Sequence, residues 1–300
     1  DFAEPTDLTS ELHSMLERPN ICSYEYISRQ YDHNVQGGSV LKPLQGKGKV
    51  NSPTSVTKPL PESEKGVICS QGINPNYSFI DTYHMSACAI DTAVRNVISV
   101  GGNLEHLALM DNFCWCSSNE EQRLGELKAS AQACYDYAVA YGAPYISGKD
   151  SMFNDFKGFD SKGKQTKISA PPTLLISSIG VIDDATKSVS LDAKLPGDLV
   201  YIIGETKEEL GGSEYLDAKG FMGNSVPKVE VEKAINTYKK FSEATDQRLI
   251  ASALSPTNGG IVVALAKMAI AGDLGMDLDL SSLPELYRKD FLLFSESQSR

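Results

Sequence analysis

The chain has 300 residues, 41% of them hydrophobic, and its 28 Lys and Arg against 39 Asp and Glu leave a formal net charge of −11. That length and apolar content suit roughly two globular domains with real cores, and the acidic balance excludes a nucleic-acid-coating surface, which needs clustered excess cation. No run approaches the ~18 apolar residues of a membrane span, and the acidic start DFAEPTDLTSEL lacks the basic-then-apolar order of a secretory leader, so a soluble, cytoplasmic protein with no nucleic-acid or membrane partner is expected.

In chain order, TSELHSMLERP predicts a short helix stopped by Pro19, and residues 36–66, rich in Gly, Pro, Lys and Ser, read as linker. GVICSQG from Gly66 predicts a strand. Ile90, Ala93, Val94, Val97 and Ile98 then fall at helical spacing before Gly101 and Gly102, with Asp91, Thr92, Arg95 and Asn96 on the helix's other side. The strand LEHLALMDNF leads to a helix over about 119–141, with Leu124, Leu127, Ala131, Cys134 and Ala138 inward and Gly142 as cap. The strand PYIS runs into Gly148, Lys149, Asp150 and Ser151, read as a turn. Residues 152–170 show no period and read as a lid-like loop before the apolar strand PPTLLISSIGVI.

Near Lys194 the chain changes domain. DLVYIIG, RLIASAL and FLLFSES predict strands, alternating with helices near 230–246 and at GIVVALAKMAIAG. The fold class is therefore α/β, with an α+β N-terminal part. The expected domains are a leading helix and linker over 1–65, one domain over 66–193 and a second over 194–300. That last domain stops directly after an apolar strand, as in a fragment.

The six cysteines contain no Cys-x-x-Cys pair, so zinc and thioredoxin motifs have no support and free thiols are expected. Residues 147–151 do not form a Walker A loop, because Ala143 stands where Gly is needed and Asp150 follows the lysine. The stretch still carries a Gly for backbone approach, a Lys for phosphate charge, a carboxylate for Mg²⁺ and a hydroxyl. A charged corner between strands is the competing reading. ELGGSEYL is either a phosphate-contacting turn or a chain reversal, and His33 either a general acid or a structural hydrogen-bonder.

Several separated stretches, in order, resemble one family. They include ISRQYDHNVQGGSVLKPLQG, GINPNYSFIDTY, AVRNVISVGG, LMDNFCW, GAPYISGKDSM, ELGGSEYL, NGGIVVALAKMAIAG and LLFSESQSR. The chain is similar to the phosphoribosylformylglycinamidine synthase family, more narrowly to the second of its two homologous AIR-synthetase-like halves, each a two-domain unit. The QYDH and GKDS elements carry the distinction from relatives such as aminoimidazole ribonucleotide synthetase, selenophosphate synthetase and thiamine monophosphate kinase. Another ATP-dependent enzyme of that superfamily, or a non-catalytic nucleotide-binding scaffold half, is the alternative.

The resemblance implies a ligase that converts formylglycinamide ribonucleotide, ATP and glutamine into formylglycinamidine ribonucleotide, ADP, phosphate and glutamate. ATP phosphorylates the amide oxygen, and ammonia displaces phosphate from the iminophosphate. Its implied partners are the enzyme's first half, a glutaminase subunit or domain, and formylglycinamide ribonucleotide; a homodimer of the fragment is a further expectation, and the fragment alone is expected to be inactive. The first half's site borrows residues that match Asp111, Gly148 and Lys149 for ATP and Ser151 for substrate, with Asp150 the candidate Mg²⁺ ligand and no residue here assigned as catalytic. An auxiliary nucleotide site of the second half matches Thr92, Asn96, Ser255 and Thr257, where carboxylates expected of metal ligands are missing, so that site reads as degenerate. The resemblance also implies that Ile90–Ile98 and LEHLALMDNF form a face towards the other half.

Overall fold

Asp7 starts the first helix, because its Oδ1 accepts the otherwise unpaired N–H groups of Thr9 (3.0 Å) and Ser10 (3.1 Å). The computed structural model describes residues 2–31, 34–281 and 288–300; His33 lies outside them. Helix α1 spans Leu8–Leu16 and is followed by a single turn, α2, at Glu25–Ser28. The stretch expected as linker holds four short strands: β1 (Ser39–Leu41), β2 (Leu44–Gln45), β3 (Val50–Asn51) and β4 (Thr54–Thr57). Runs of two to four residues are too short to display a period, which is why composition concealed them.

Next come β5 (Gly66–Ile73), α3 (Thr82–Ser99), β6 (Leu107–Cys114), α4 (Glu121–Tyr141), β7 (Tyr145–Ser151), β8 (Asp155–Phe159), β9 (Gln165–Ser169) and β10 (Thr173–Ile182). Six strands make one mixed sheet in the order β1-β4-β5-β10-β6-β7, antiparallel throughout except for the parallel pair β6 and β7. Leu109, Phe113, Leu174, Ile176 and Ile68 point to the side where α3 and α4 pack and form the main core with them. Gly72 lets β5 lie against α3, since a Cβ there would meet the Ala89 carbonyl oxygen at 2.1 Å. Residues 152–170, expected as an irregular lid, instead contain the hairpin β8–β9, paired from Asp155↔Ser169 to Phe159↔Gln165. Its polar and aromatic residues are largely exposed on both faces, so no alternation marks it in sequence.

Two helix faces differ from expectation. In α4 the core-facing stripe is Ser130, Ala133, Tyr137 and Tyr141, with Leu127, Cys134 and Ala138 at its margin, while Leu124 and Ala131 are exposed. The two tyrosines turn the helix because their hydroxyls reach Val229 O (3.1 Å) and Asp91 Oδ1 (2.7 Å) in the interior. Helix α3 has no solvent side: Asp91, Thr92, Arg95 and Asn96 are buried like Ile90 and Val94, the first three beneath α4 and the second part of the chain and Asn96 against the sheet.

That second part contributes α5 (Glu214–Ala218), α6 (Val231–Asp246), α7 (Gly260–Gly272) and α8 (Lys289–Phe294). Helix α1 packs on α5 and α7 around Met15, Tyr215, Val263 and Phe294, and Arg18 Nε donates to Glu214 Oε2 (2.5 Å). No strand follows β10 among the described residues. DLVYIIG and RLIASAL have no ladder partner, without which extended backbone is not a strand, and FLLF is the last turn of α8. Among the described residues no helix is long and apolar enough to cross a membrane.

Candidate functional site

The GKDS stretch is not a turn. It continues β7 along the sheet edge, parallel to β6, with Asp111 opposite Gly148, Asn112 opposite Lys149 and Phe113 opposite Asp150. Alternation along a strand therefore divides the sequence-predicted residues between two faces. Asp111, Gly148 and Asp150 share the helix side, and a Cβ on Gly148 would lie 2.6 Å from Asp111 Oδ1. Burial raises the Asp111 pKa, and the nearby Asp150 charge raises it further. Lys149 and Ser151 share the open side, where Lys149 Nζ donates to Ser151 Oγ (2.6 Å). The strand ends thus present two mutually repelling carboxylates on one face and an ammonium with a hydroxyl on the other. The carboxylate pair suits a hard divalent cation, although no group of three or more His, Cys, Asp or Glu side chains is placed to hold a metal among the described residues.

The open side of the sheet carries a groove of about 560 Å³ lined by Cys69, Gln71, Met110, Ile146, Ser177 and Ile179, among others. Met110, Ile146, Ile179 and Val181 stand exposed there. The apolar face expected at both α3 and β6 is therefore confined to the sheet. Ile90–Ile98 is core, because α3 lies between the sheet and the second part of the chain.

The four residues matched to an auxiliary nucleotide site are not all brought together. Thr92 and Ser255 both bind the Arg95 guanidinium, at 3.4 and 2.6 Å. Asn96 turns to the sheet, donating to Gln71 O (3.2 Å), and its Oδ1 is buried without a hydrogen-bond partner. Thr257 sits in the loop before α7, where its carbonyl accepts from Gly260 N (3.0 Å). The sequence displayed the Asp91 and Arg95 spacing but could not show that both would be buried.

Glu296 gains an environment that sequence did not disclose. It is fully buried, accepts from Tyr77 Oη (2.7 Å), Gly259 N (2.8 Å) and Glu214 N (3.1 Å), and burial raises its pKa to about 7. Its bond to Glu214 N at the start of α5 shows what ELGGSEYL does here: the stretch turns through Gly211 and Gly212 into a helix that Glu296 and Ser213 hold.

Comparison with known proteins follows the same division. AIR synthase related protein, N-terminal domain, matches residues 54–181, and AIR synthase related protein, C-terminal domain, matches residues 196–300. The phosphoribosylformylglycinamidine synthase subunit PurL of Methanocaldococcus jannaschii is 33% identical over 99% of this chain and 39% of that protein. The subunit of the same name from Alkaliphilus metalliredigens is 32% identical over 99% of this chain and 37% of its own length. The chain thus spans well under half the length of these relatives. Thermotoga maritima PurL complexed with FGAR superposes over 98% of this chain and 44% of its own with a TM-score of 0.67 at 18% identity, a likeness of fold.

Proposed function

Because the chain belongs to the AIR synthase related family, we propose that it is the second half of a phosphoribosylformylglycinamidine synthase, an ATP-dependent purine-pathway ligase of the cytoplasm whose first half it completes. In this reading the domains divide near residue 194, with β1 and β4 joining the first. The observation that carries the proposal is the edge pair β6–β7, which leaves Lys149 and Asp150 exposed at its carboxyl end with Asp111 beside them, open to a second body.

An amide carbonyl is a poor electrophile, so its oxygen is phosphorylated by ATP before ammonia attacks, and stabilising charge on the moving phosphoryl group is the main task. Lys149 supplies positive charge to the phosphates, and Gly148, lacking a side chain, lets backbone and nucleotide approach. Ser151 orients substrate. Asp150, with Asp111 at its side, would hold Mg²⁺, which when bound neutralises phosphate charge. The open groove with Met110, Ile146 and Ile179 receives the first half; glutamine-derived ammonia comes from a glutaminase partner.

The test is reconstitution. The chain alone, supplied with formylglycinamide ribonucleotide, ATP and ammonia, makes no amidine, and adding the first half restores turnover; product from the chain alone would overturn the shared-site reading. In the complete enzyme, Asp150→Asn raises the Mg²⁺ concentration needed for half-maximal rate. An unchanged requirement would remove Asp150 from the metal site.

A further inference from the structure

Arg95 is a charged side chain with 3% exposure, and each of its five N–H groups has an acceptor. Nε donates to Ser255 Oγ (2.6 Å), Nη1 to Asp91 Oδ2 (2.9 Å) and Gln298 Oε1 (3.5 Å), and Nη2 to Pro256 O (3.1 Å) and Thr92 Oγ1 (3.4 Å). Asp91 is equally occupied. Besides Arg95 it accepts from Tyr141 Oη (2.7 Å), Tyr238 Oη (2.5 Å), Ser299 N (2.9 Å) and Ser299 Oγ (3.3 Å). One buried ion pair therefore joins α3 and α4 to α6, the loop before α7 and the segment at 298–299.

The resemblance implies a metal-bound nucleotide in this region of some relatives, and the residues present do not fit one. None of Thr92, Asn96, Ser255 and Thr257 is a carboxylate, whereas Mg²⁺ requires hard anionic oxygens. Thr92 and Ser255 present their hydroxyls to a guanidinium, so a metal between them would meet a fixed positive charge. Asn96 is engaged with the sheet on another side of the helix. Asp91, the carboxylate within reach, is already saturated by donors.

We propose that Arg95 is the built-in cation of this half, standing where relatives recruit a metal-bound nucleotide and joining the two domains without any ligand.

The experiment measures melting temperature of the chain with excess Mg²⁺ or Mg²⁺ plus ADP against a chelator, every arm carrying Asp150→Asn so that the edge-strand site does not contribute. The starting protein shows no Mg²⁺-dependent or nucleotide-dependent shift. Thr92→Glu shows none either, because the new carboxylate pairs with the guanidinium. Combining Thr92→Glu with Arg95→Met frees that carboxylate and brings a Mg²⁺-dependent rise on the order of 2–5 °C. A rise in the starting protein, or a rise in Thr92→Glu alone, overturns the proposal. So does a folded double variant that stays indifferent to Mg²⁺; should the double variant fail to fold, the first two arms decide.

Discussion

Gly148 and Asp111 face one another across the parallel pair β6–β7, so closely that any Cβ on Gly148 would lie 2.6 Å from the Asp111 carboxylate. The atom it would meet is the far end of a side chain, which can swing away while the strands stay paired. Gly148→Ala should therefore change stability by less than about 1 kcal/mol. It should also displace Asp111 and raise the KM for ATP of the complete enzyme about tenfold. Kinetics identical to the parent, with an unchanged melting curve, would remove Asp111 and Gly148 from the nucleotide site.

Lys149 offers a sharper division. Its ammonium is exposed and donates to Ser151 Oγ two residues along the strand. Lys149→Ala should lower kcat of the complete enzyme by about a hundredfold to a thousandfold, the range for losing one electrophilic donor, and shift stability by less than about 0.5 kcal/mol. A residue that merely decorates an edge strand would leave the rate alone.

The open sheet face predicts association. Without its first half the chain should self-associate through Met110, Ile146 and Ile179, which are exposed side by side at the groove. Ile179→Glu should shift the sedimentation profile to monomer and weaken capture of the first half, with little change in melting temperature. An unaltered profile would move the interface elsewhere.

Glu296 predicts a pH dependence. Its folded pKa, about 7, lies above the ordinary 4.5 because burial disfavours the charged form. The stability tied to its proton is fully present below pH 4.5, where both states are protonated. It is lost as pH rises towards about 7, because the unfolded chain ionises first. Across that window the parent should lose on the order of 3 kcal/mol relative to Glu296→Gln, whose amide keeps an oxygen for Gly259 N and Glu214 N. Denaturant melts of both proteins from pH 4.5 to 8 test this; parallel curves would mean that Glu296 is ionised throughout.

Sequence by itself determined the elements whose own residues carry a period or a stop. Helices α4, α6 and α7 show helical spacing, Gly142 ends α4 with a φ of 67° that glycine adopts without strain, and β10 is a long apolar run. The candidacy of Gly148, Lys149, Asp150 and Ser151 for phosphate and metal was legible too, because it rests on residue types alone. Their geometry was not. An edge strand open on much of its surface needs no apolar alternation, so β7 read as a turn, and only pairing with β6 assigns Asp150 and Lys149 to opposite faces. Helix α3 shows the same limit from the other direction. Asp91, Thr92, Arg95 and Asn96 have the polarity of a solvated face, yet Tyr141, Tyr238, Ser255 and Ser299 arrive from other parts of the chain to satisfy the Asp91–Arg95 pair, while Asn96 lies against the sheet. Periodicity reports which side of a helix differs from the rest, whereas what covers that side is settled by contacts between residues over a hundred positions apart, and those exist only in the folded chain.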